Sequence, residues 1–154
     1  MKVVVDSDVL IKLTKTGLKE IIIGVVEVFI PDRVHEETVI ESKGYPDASK
    51  IEENINEGKI HVAGPSRHDK GEIEALELYR SGGFESIVSD DRKFLNYLER
   101  NNIPYLTSSS LIVYLLYKKR LSKEDTIKYI DNLKLYISRE QYLTAQSEVQ
   151  RWVK

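Results

Sequence analysis

The first dozen residues constrain this chain most: Lys2-Val3-Val4-Val5-Asp6-Ser7-Asp8-Val9-Leu10-Ile11-Lys12-Leu13. The β-branched run Val3–Val5 is too short for anything but a strand. It is apolar without alternation, as strands buried in α/β folds are. Two aspartates one residue apart follow, then an apolar run that can continue as a helix. Ligands and catalytic groups of open α/β sheets sit just beyond the carboxyl ends of the strands, where Asp6 and Asp8 fall. Two carboxylates at one strand end repel each other unless a proton or a cation stands between them. A hard divalent ion, Mg²⁺ or Mn²⁺, is the usual partner of such oxygen ligands. The plainer alternative is that Asp8 caps the helix and Asp6 ends the strand.

Composition narrows the classes. A chain of 154 residues, 41% hydrophobic, can bury one core. With 23 basic and 25 acidic residues the net charge is −2, which gives no bulk signal for nucleic acid. Any contact with nucleic acid therefore has to be a local patch, for which Lys12, Lys15, Arg92, Lys93, Lys118, Lys119 and Arg120 are candidates. The absence of Cys excludes disulfides and thiolate metal sites. His35, His61 and His68 show no metal-binding spacing. No apolar run has signal-peptide or membrane-spanning character, so a cytoplasmic protein without a membrane partner is expected.

Hydrophobic periodicity predicts an alternation of strands and helices. After the first strand come helices over Val9–Thr16 and Leu18–Ile23, a strand over Val25–Ile30, and helices over Asp32–Ser42 and Asp47–Glu57. A strand at Ile60–Ala63, a loop at 64–68 and a helix over Asp69–Arg80 follow. Then come a strand at Ser86–Val88, a helix over Asp91–Asn101, a strand at Pro104–Leu106 and a helix over Ser109–Lys119. The tail predicts two helices, Lys123–Leu133 and Arg139–Val153. This alternation argues for α/β architecture, a mostly parallel sheet with helices on both faces. Residues 1–120 are expected to form the catalytic domain, with 121–154 as a helical extension packed on it. Leu111–Tyr117 is apolar on all sides, which suits a deep core or a face shared with a second copy.

Further acids lie at strand ends or helix starts. Glu37 shares a helical face with Val34, whereas Glu36 shares one with Val39 and Ile40; the spacing alone does not choose between them. Glu72 lines up with Ala75, Leu76 and Tyr79 and is expected beside the buried stripe, with Glu74 on the wet face beside Glu77 and Ser81. A capping box with Asp69 as N-cap would explain Glu72 structurally. Asp91 lines up with Phe94, Leu95 and Leu98, whereas Asp90 lines up with Lys93 and Tyr97, so Asp91 is the better inward candidate. Clustered carboxylates without His or Cys suit metal-assisted hydrolysis of a phosphodiester. A Ser-His-Asp or thiol mechanism finds no supporting arrangement.

The ordered set resembles PIN-domain ribonucleases, especially short prokaryotic ones related to VapC toxins. Asp6-Ser7-Asp8-Val9-Leu10-Ile11 resembles the family's opening Asp-x-Asn/Ser-x-Leu-Ile, and Pro31-Asp32-Arg33-Val34-His35-Glu36-Glu37 its Pro-x-x-Val-x-x-Glu, which picks Glu37. Gly71-Glu72-Ile73-Glu74-Ala75 resembles its Gly-Glu-x-Glu-Ala helix start, with the acid at Glu72. Ser89-Asp90-Asp91 resembles Thr/Asp-x-Asp, which picks Asp91, and Asn102–Thr107 resembles the closing strand. The likeness spans residues 2 to about 119. It implies a three-layer α/β/α sandwich and endonucleolytic cleavage of single-stranded RNA, as by the toxin of a toxin–antitoxin pair. It also implies Mg²⁺ or Mn²⁺ as cofactor, a protein antitoxin as partner, and a homodimer. The catalytic acids it implies are Asp6, Glu37, Glu72 and Asp91, with Asp6, Glu72 and Asp91 holding metal and Asp8, Ser89, Asp90 and Thr107 in support. Asp8 departs from the commoner Asn or Ser.

Two other readings compete. Haloacid-dehalogenase-like phosphatases also open with a strand and Asp-x-Asp; Asp6 would be the nucleophile, Asp8 the acid/base and Asp90-Asp91 the Mg²⁺ pair. That reading leaves Glu37 and Glu72 unexplained. The other is a non-catalytic module that binds RNA or a protein.

Overall fold

Val3, Val4 and Val5 are wholly buried in a central strand, β1 (Lys2–Val5). It pairs in parallel with β2 (Glu27–Pro31) on one side and β4 (Ser86–Val88) on the other. β3 (Ile60–Ala63) extends the sheet beyond β2, and β5 (Tyr105–Leu106) beyond β4, in the order β3-β2-β1-β4-β5. Every pairing is parallel. The structure, a computed structural model, describes residues 1–64 and 70–152. The expected loop over 64–68, beyond Gly64, and the expected N-cap Asp69 lie outside the described residues, as does Val153 at the predicted end of the last helix.

Helices link the strands: α1 (Ser7–Lys15) and α2 (Lys19–Ile23) from β1 to β2; α3 (Asp32–His35), a π-helical turn (Glu36–Ile40) and α4 (Pro46–Asn56) from β2 to β3. α5 (Gly71–Arg80) lies between β3 and β4, and α6 (Arg92–Arg100) joins β4 to β5. The chain steps from β1 out to β3 on one side, then returns to β4 and β5 on the other. Right-handed crossovers place the two groups of helices on opposite faces. Val4 and Ile87 pack with Ala75 and Leu78 of α5 and with Phe94, Leu95 and Leu98 of α6. The result is a three-layer α/β/α sandwich. The order reverses beside β1, so the crevice of this topology opens at the carboxyl ends of β1 and β4.

Clustering of backbone contacts divides the chain into Met1–Leu106 and Thr107–Lys154. The second unit holds α7 (Ser108–Tyr117), α8 (Lys123–Leu133) and α9 (Arg139–Arg151), each packed on the other two. Leu111, Ile112, Val113, Leu115 and Leu116 are buried within this chain, so the apolar girth of α7 does not by itself call for a second copy. Thr107 caps α7 in a capping box with Ser110.

The predicted continuous helix over Asp32–Ser42 is instead split. The Glu41 N–H bonds to the carbonyl of Glu36 at 2.8 Å, one residue further back than in an α-helix. The hydroxyls of Thr38 and Ser42 donate to the carbonyls of Val34 and Glu37, both at 2.7 Å. Side-chain hydroxyls that bond the preceding turn disturb the regular ladder.

Candidate active site

β1 delivers Asp6 to the crevice. Its backbone N–H bonds to the Val88 carbonyl at 3.1 Å, which ties it to the neighbouring strand end. Its carboxylate caps α1 by accepting from the Val9 N–H at 2.9 Å, so Asp6, rather than Asp8, is the cap. Asp6 is only 8% exposed. Burial first, then the charges of Asp8 and Asp90, raise its carboxyl to about 7, against the lowering effect of hydrogen bonds from Ser89 and Val9. Ser89 is wholly buried beneath it.

Beyond β4 two aspartates part ways. The Asp90 side chain is 3% exposed and accepts from the Lys12 ammonium at 3.0 Å. Asp8, 65% exposed, takes the same ammonium at 2.8 Å. Asp91 is exposed and caps α6 through the Phe94 N–H at 2.8 Å. The helical face that predicted Asp91 as the inward residue is therefore corrected: Asp91 stands before the helix as its cap, and Asp90 is the buried one. Lys12, counted among RNA-binding cations, is buried and paired instead, and Lys15 stands 3.6 Å from Asp47.

The π-helical turn presents Glu37. Its carboxylate accepts from the Ser7 hydroxyl at 2.8 Å and lies 3.2 Å from the Arg33 Nε. A Cβ on Gly71 would stand in ordinary contact with the Glu37 Oε1, at 3.4 Å, so α5 starts against this carboxylate. Glu72 comes next. Partial burial and then the charge of Asp91 push its carboxyl above the ordinary range.

The α5 face reading is corrected as well. Glu74 is 2% exposed, with Ala75 and Leu78 beside it on the buried stripe, whereas Glu72 is exposed. The reason is a tertiary bond: the Glu74 Oε1 accepts from the Arg33 N–H at 2.9 Å, in the first turn of α3. Pro31, the N-cap there, offers no side-chain cap, and Glu74 supplies the missing acceptor. Sequence reasoning missed this role; the available signal was a helix opening on Pro with no local acceptor.

The acids thus form a chain of neighbours: Asp6 to Ser7, Ser7 to Glu37, Glu37 to the start of α5, Glu72 to Asp91, and Asp90 back to Asp6. Asp6 and Asp90–Asp91 follow closely on β1 and β4, Glu37 lies beyond β2 after the short α3, and Glu72 opens the helix beyond β3. Among the described residues no three His, Cys, Asp or Glu side chains stand close enough to hold a metal ion. The donor chemistry nonetheless fits a hard divalent ion: carboxylates and hydroxyls only, with Asp6 buried under the charge of two further aspartates.

A parallel sheet with acids gathered at the carboxyl end of its central strands is the architecture of a PIN domain. A family model described as "DUF3368: PIN domain" matches residues 2–151, and the chain belongs to that family. PIN domains are generally nucleases that use divalent metals, and this membership displaces the phosphatase reading. Comparison with curated proteins and with solved structures found no match. Among the described residues no helix is long and apolar enough to cross a membrane.

Proposed function

We propose that this chain is an endoribonuclease that hydrolyses phosphodiester bonds of single-stranded RNA with Mg²⁺ or Mn²⁺. The observation that carries the reading is the run of acids Asp6, Glu37, Glu72 and Asp91 around one crevice of a PIN domain, coupled through Ser7, Gly71 and Asp90. Asp6, Glu72 and Asp91 would hold the ion, with Asp8, Ser89 and Asp90 in support. When bound, such an ion polarises the phosphate and lowers the pKa of an attacking water. Glu37, held by Ser7 and Arg33, would orient that water or accept its proton. Arg92 and Lys93 follow Asp91 and are exposed, which suits contact with the flanking phosphates. The resemblance to VapC-like proteins extends the reading to a cytoplasmic toxin with a protein antitoxin and a homodimer; co-purification and solution mass test those extensions.

The test is an assay on single-stranded RNA with Mn²⁺, Mg²⁺ or chelator, beside Asp6→Asn. Cleavage that needs metal and disappears in the variant is expected. Binding of RNA without turnover would favour the non-catalytic module, and release of phosphate from small esters without RNA cleavage would restore the phosphatase.

A further inference from the structure

Lys12 sits where the topology of the sheet reverses. It leaves the last turn of α1, which follows β1, and its ammonium reaches the loop that follows β4, 78 residues away in sequence. Its contacts are Asp8 at 2.8 Å and Asp90 at 3.0 Å. The residue is 9% exposed and the Asp90 side chain 3%, so this pair is largely withdrawn from water, unlike the surface pairs elsewhere in the chain. Burial alone would make the ammonium give up its proton more readily, but Asp8 and Asp90 more than offset that and hold it charged. A buried ion pair is weak evidence for stability, because desolvation consumes most of the attraction. Its presence at this one crevice therefore asks for another reason. The charges of both Asp8 and Asp90 act on Asp6, and Asp90 immediately precedes Asp91.

We propose that Lys12 is a positioning residue, the resident counter-ion of the acidic crevice, which keeps Asp8 and Asp90 bound to protein and so leaves the incoming divalent ion to Asp6 and Asp91. The inference rests on the nuclease reading above. An ammonium is a compact point charge; here it satisfies two carboxylates that would otherwise join the ligand set, and it anchors the loop that presents Asp91. It lowers the attraction of the crevice for cations while holding the geometry that cleavage needs. Its removal should thus move two properties in opposite directions, whereas loss of a mere scaffold contact would weaken both.

The experiment compares wild type, Lys12→Gln, Lys12→Arg, Asp90→Asn and the double variant Lys12→Gln/Asp90→Asn. Mn²⁺ binding is followed by the loss of its free-ion paramagnetic signal, RNA cleavage at saturating Mn²⁺, and melting in chelator. Lys12→Gln should bind Mn²⁺ about tenfold more tightly and cleave about tenfold more slowly, effects of the size that groups supporting metal ligands exert. Lys12→Arg, which keeps the charge, should bind Mn²⁺ as wild type does. Asp90→Asn should bind it more weakly, since Lys12 then keeps more uncompensated charge; this variant carries the test if Lys12→Gln does not fold. Mn²⁺ affinity unchanged in both variants, or lost together with cleavage in Lys12→Gln, overturns the proposal. If wild type binds no Mn²⁺, the nuclease reading fails by itself. The melting data then decide the counter-ion: a double variant whose loss equals the sum of the single losses overturns it, and a smaller loss supports it.

Discussion

Two kinds of corner carry the acids of this crevice. At β1–α1 and β4–α6 the corner is built from its own sequence: Asp6, directly after β1, and Asp91, shortly after β4, each cap the helix that follows, through the N–H three residues on. At β2–α3 the corner borrows its cap. Pro31 has nothing to offer, Glu74 reaches across from α5, and the acid at issue, Glu37, hangs from a π-helical turn further along. A self-built corner places its carboxylate by local geometry alone. A borrowed one places it only when another helix has already docked. Single substitutions should therefore act differently on the two kinds.

The largest effect is expected at the self-built corner of Asp6. Asp6→Asn keeps a cap of similar strength but removes the charge, so RNA cleavage should fall by about 100-fold or more while the fold persists. Stability should show the sign of the shift. In the folded chain the Asp6 carboxyl lies at about 7 against an ordinary 3.8, so the folded state holds the proton more tightly. The stability this contributes is complete below pH 3.8 and is lost as pH rises through about 7. Metal-free wild type should thus melt lower at pH 8 than at pH 5, by at most roughly 3 kcal/mol, since only about two pKa units at about 1.4 kcal/mol each lie between pH 5 and the folded value of about 7. Asp6→Asn should lack this slope. Parallel melting profiles in chelator would remove Asp6 as its source.

The borrowed corner should answer in stability first. Glu74→Ala strands the Arg33 N–H at the half-buried start of α3 and should cost about 1–3 kcal/mol in urea unfolding, whereas Glu74→Gln keeps an acceptor and should cost less. Cleavage by Glu74→Ala should fall as well, because the segment that carries Glu37 loses its anchor. A loss no larger for Ala than for Gln would mean that the borrowed cap contributes nothing.

The other self-built corner separates capping from charge. Asp91→Ala should cost about 1 kcal/mol through the lost cap of α6. Asp91→Asn keeps the cap and relieves repulsion with Glu72, so without metal it should be as stable as wild type or slightly more so. Mn²⁺ should stabilise wild type and stabilise Asp91→Asn less. Equal stabilisation of both would remove Asp91 from the metal's ligands.

The same contrast explains what was legible in the sequence. Strands such as Val3–Val5 and Ile87–Val88 are continuous apolar runs that only a buried sheet accommodates, so the α/β layering and most element boundaries could be read directly. Asp6 was visible because its place is set by the residues beside it. The faces of Glu72 and Glu74 were misjudged because the periodicity of α5 knows nothing of the Arg33 N–H, and a tertiary hydrogen bond turned the buried side toward Glu74. The order of Asp90 and Asp91 was misjudged because Lys12 decides it from another helix. The Asp8–Lys12 pair, four residues apart on one helix, could have been found; the second partner of Lys12 could not.

The smallest effect is expected where the two kinds of corner meet. The Ser7 hydroxyl, one residue beyond Asp6, donates to Glu37 at 2.8 Å and links the self-built corner to the π-helical turn. Glu37 also has Arg33 at 3.2 Å, so Ser7→Ala leaves it held. The cost should be about 0.5–1.5 kcal/mol, the net worth of a typical hydrogen bond. A double-mutant cycle sharpens the point. Ser7→Ala and Glu37→Ala each remove the same bond, so their combined loss in urea unfolding should fall short of the sum by about 0.5 kcal/mol or more. The same cycle with Glu74→Gln in place of Glu37→Ala should be closer to additive, because Glu74 holds the start of α3 and not the carboxylate itself. If Ser7 and Glu37 proved additive, the link between the corners would have no energetic content, and Glu37 would be placed by Arg33 and the π-helical turn alone.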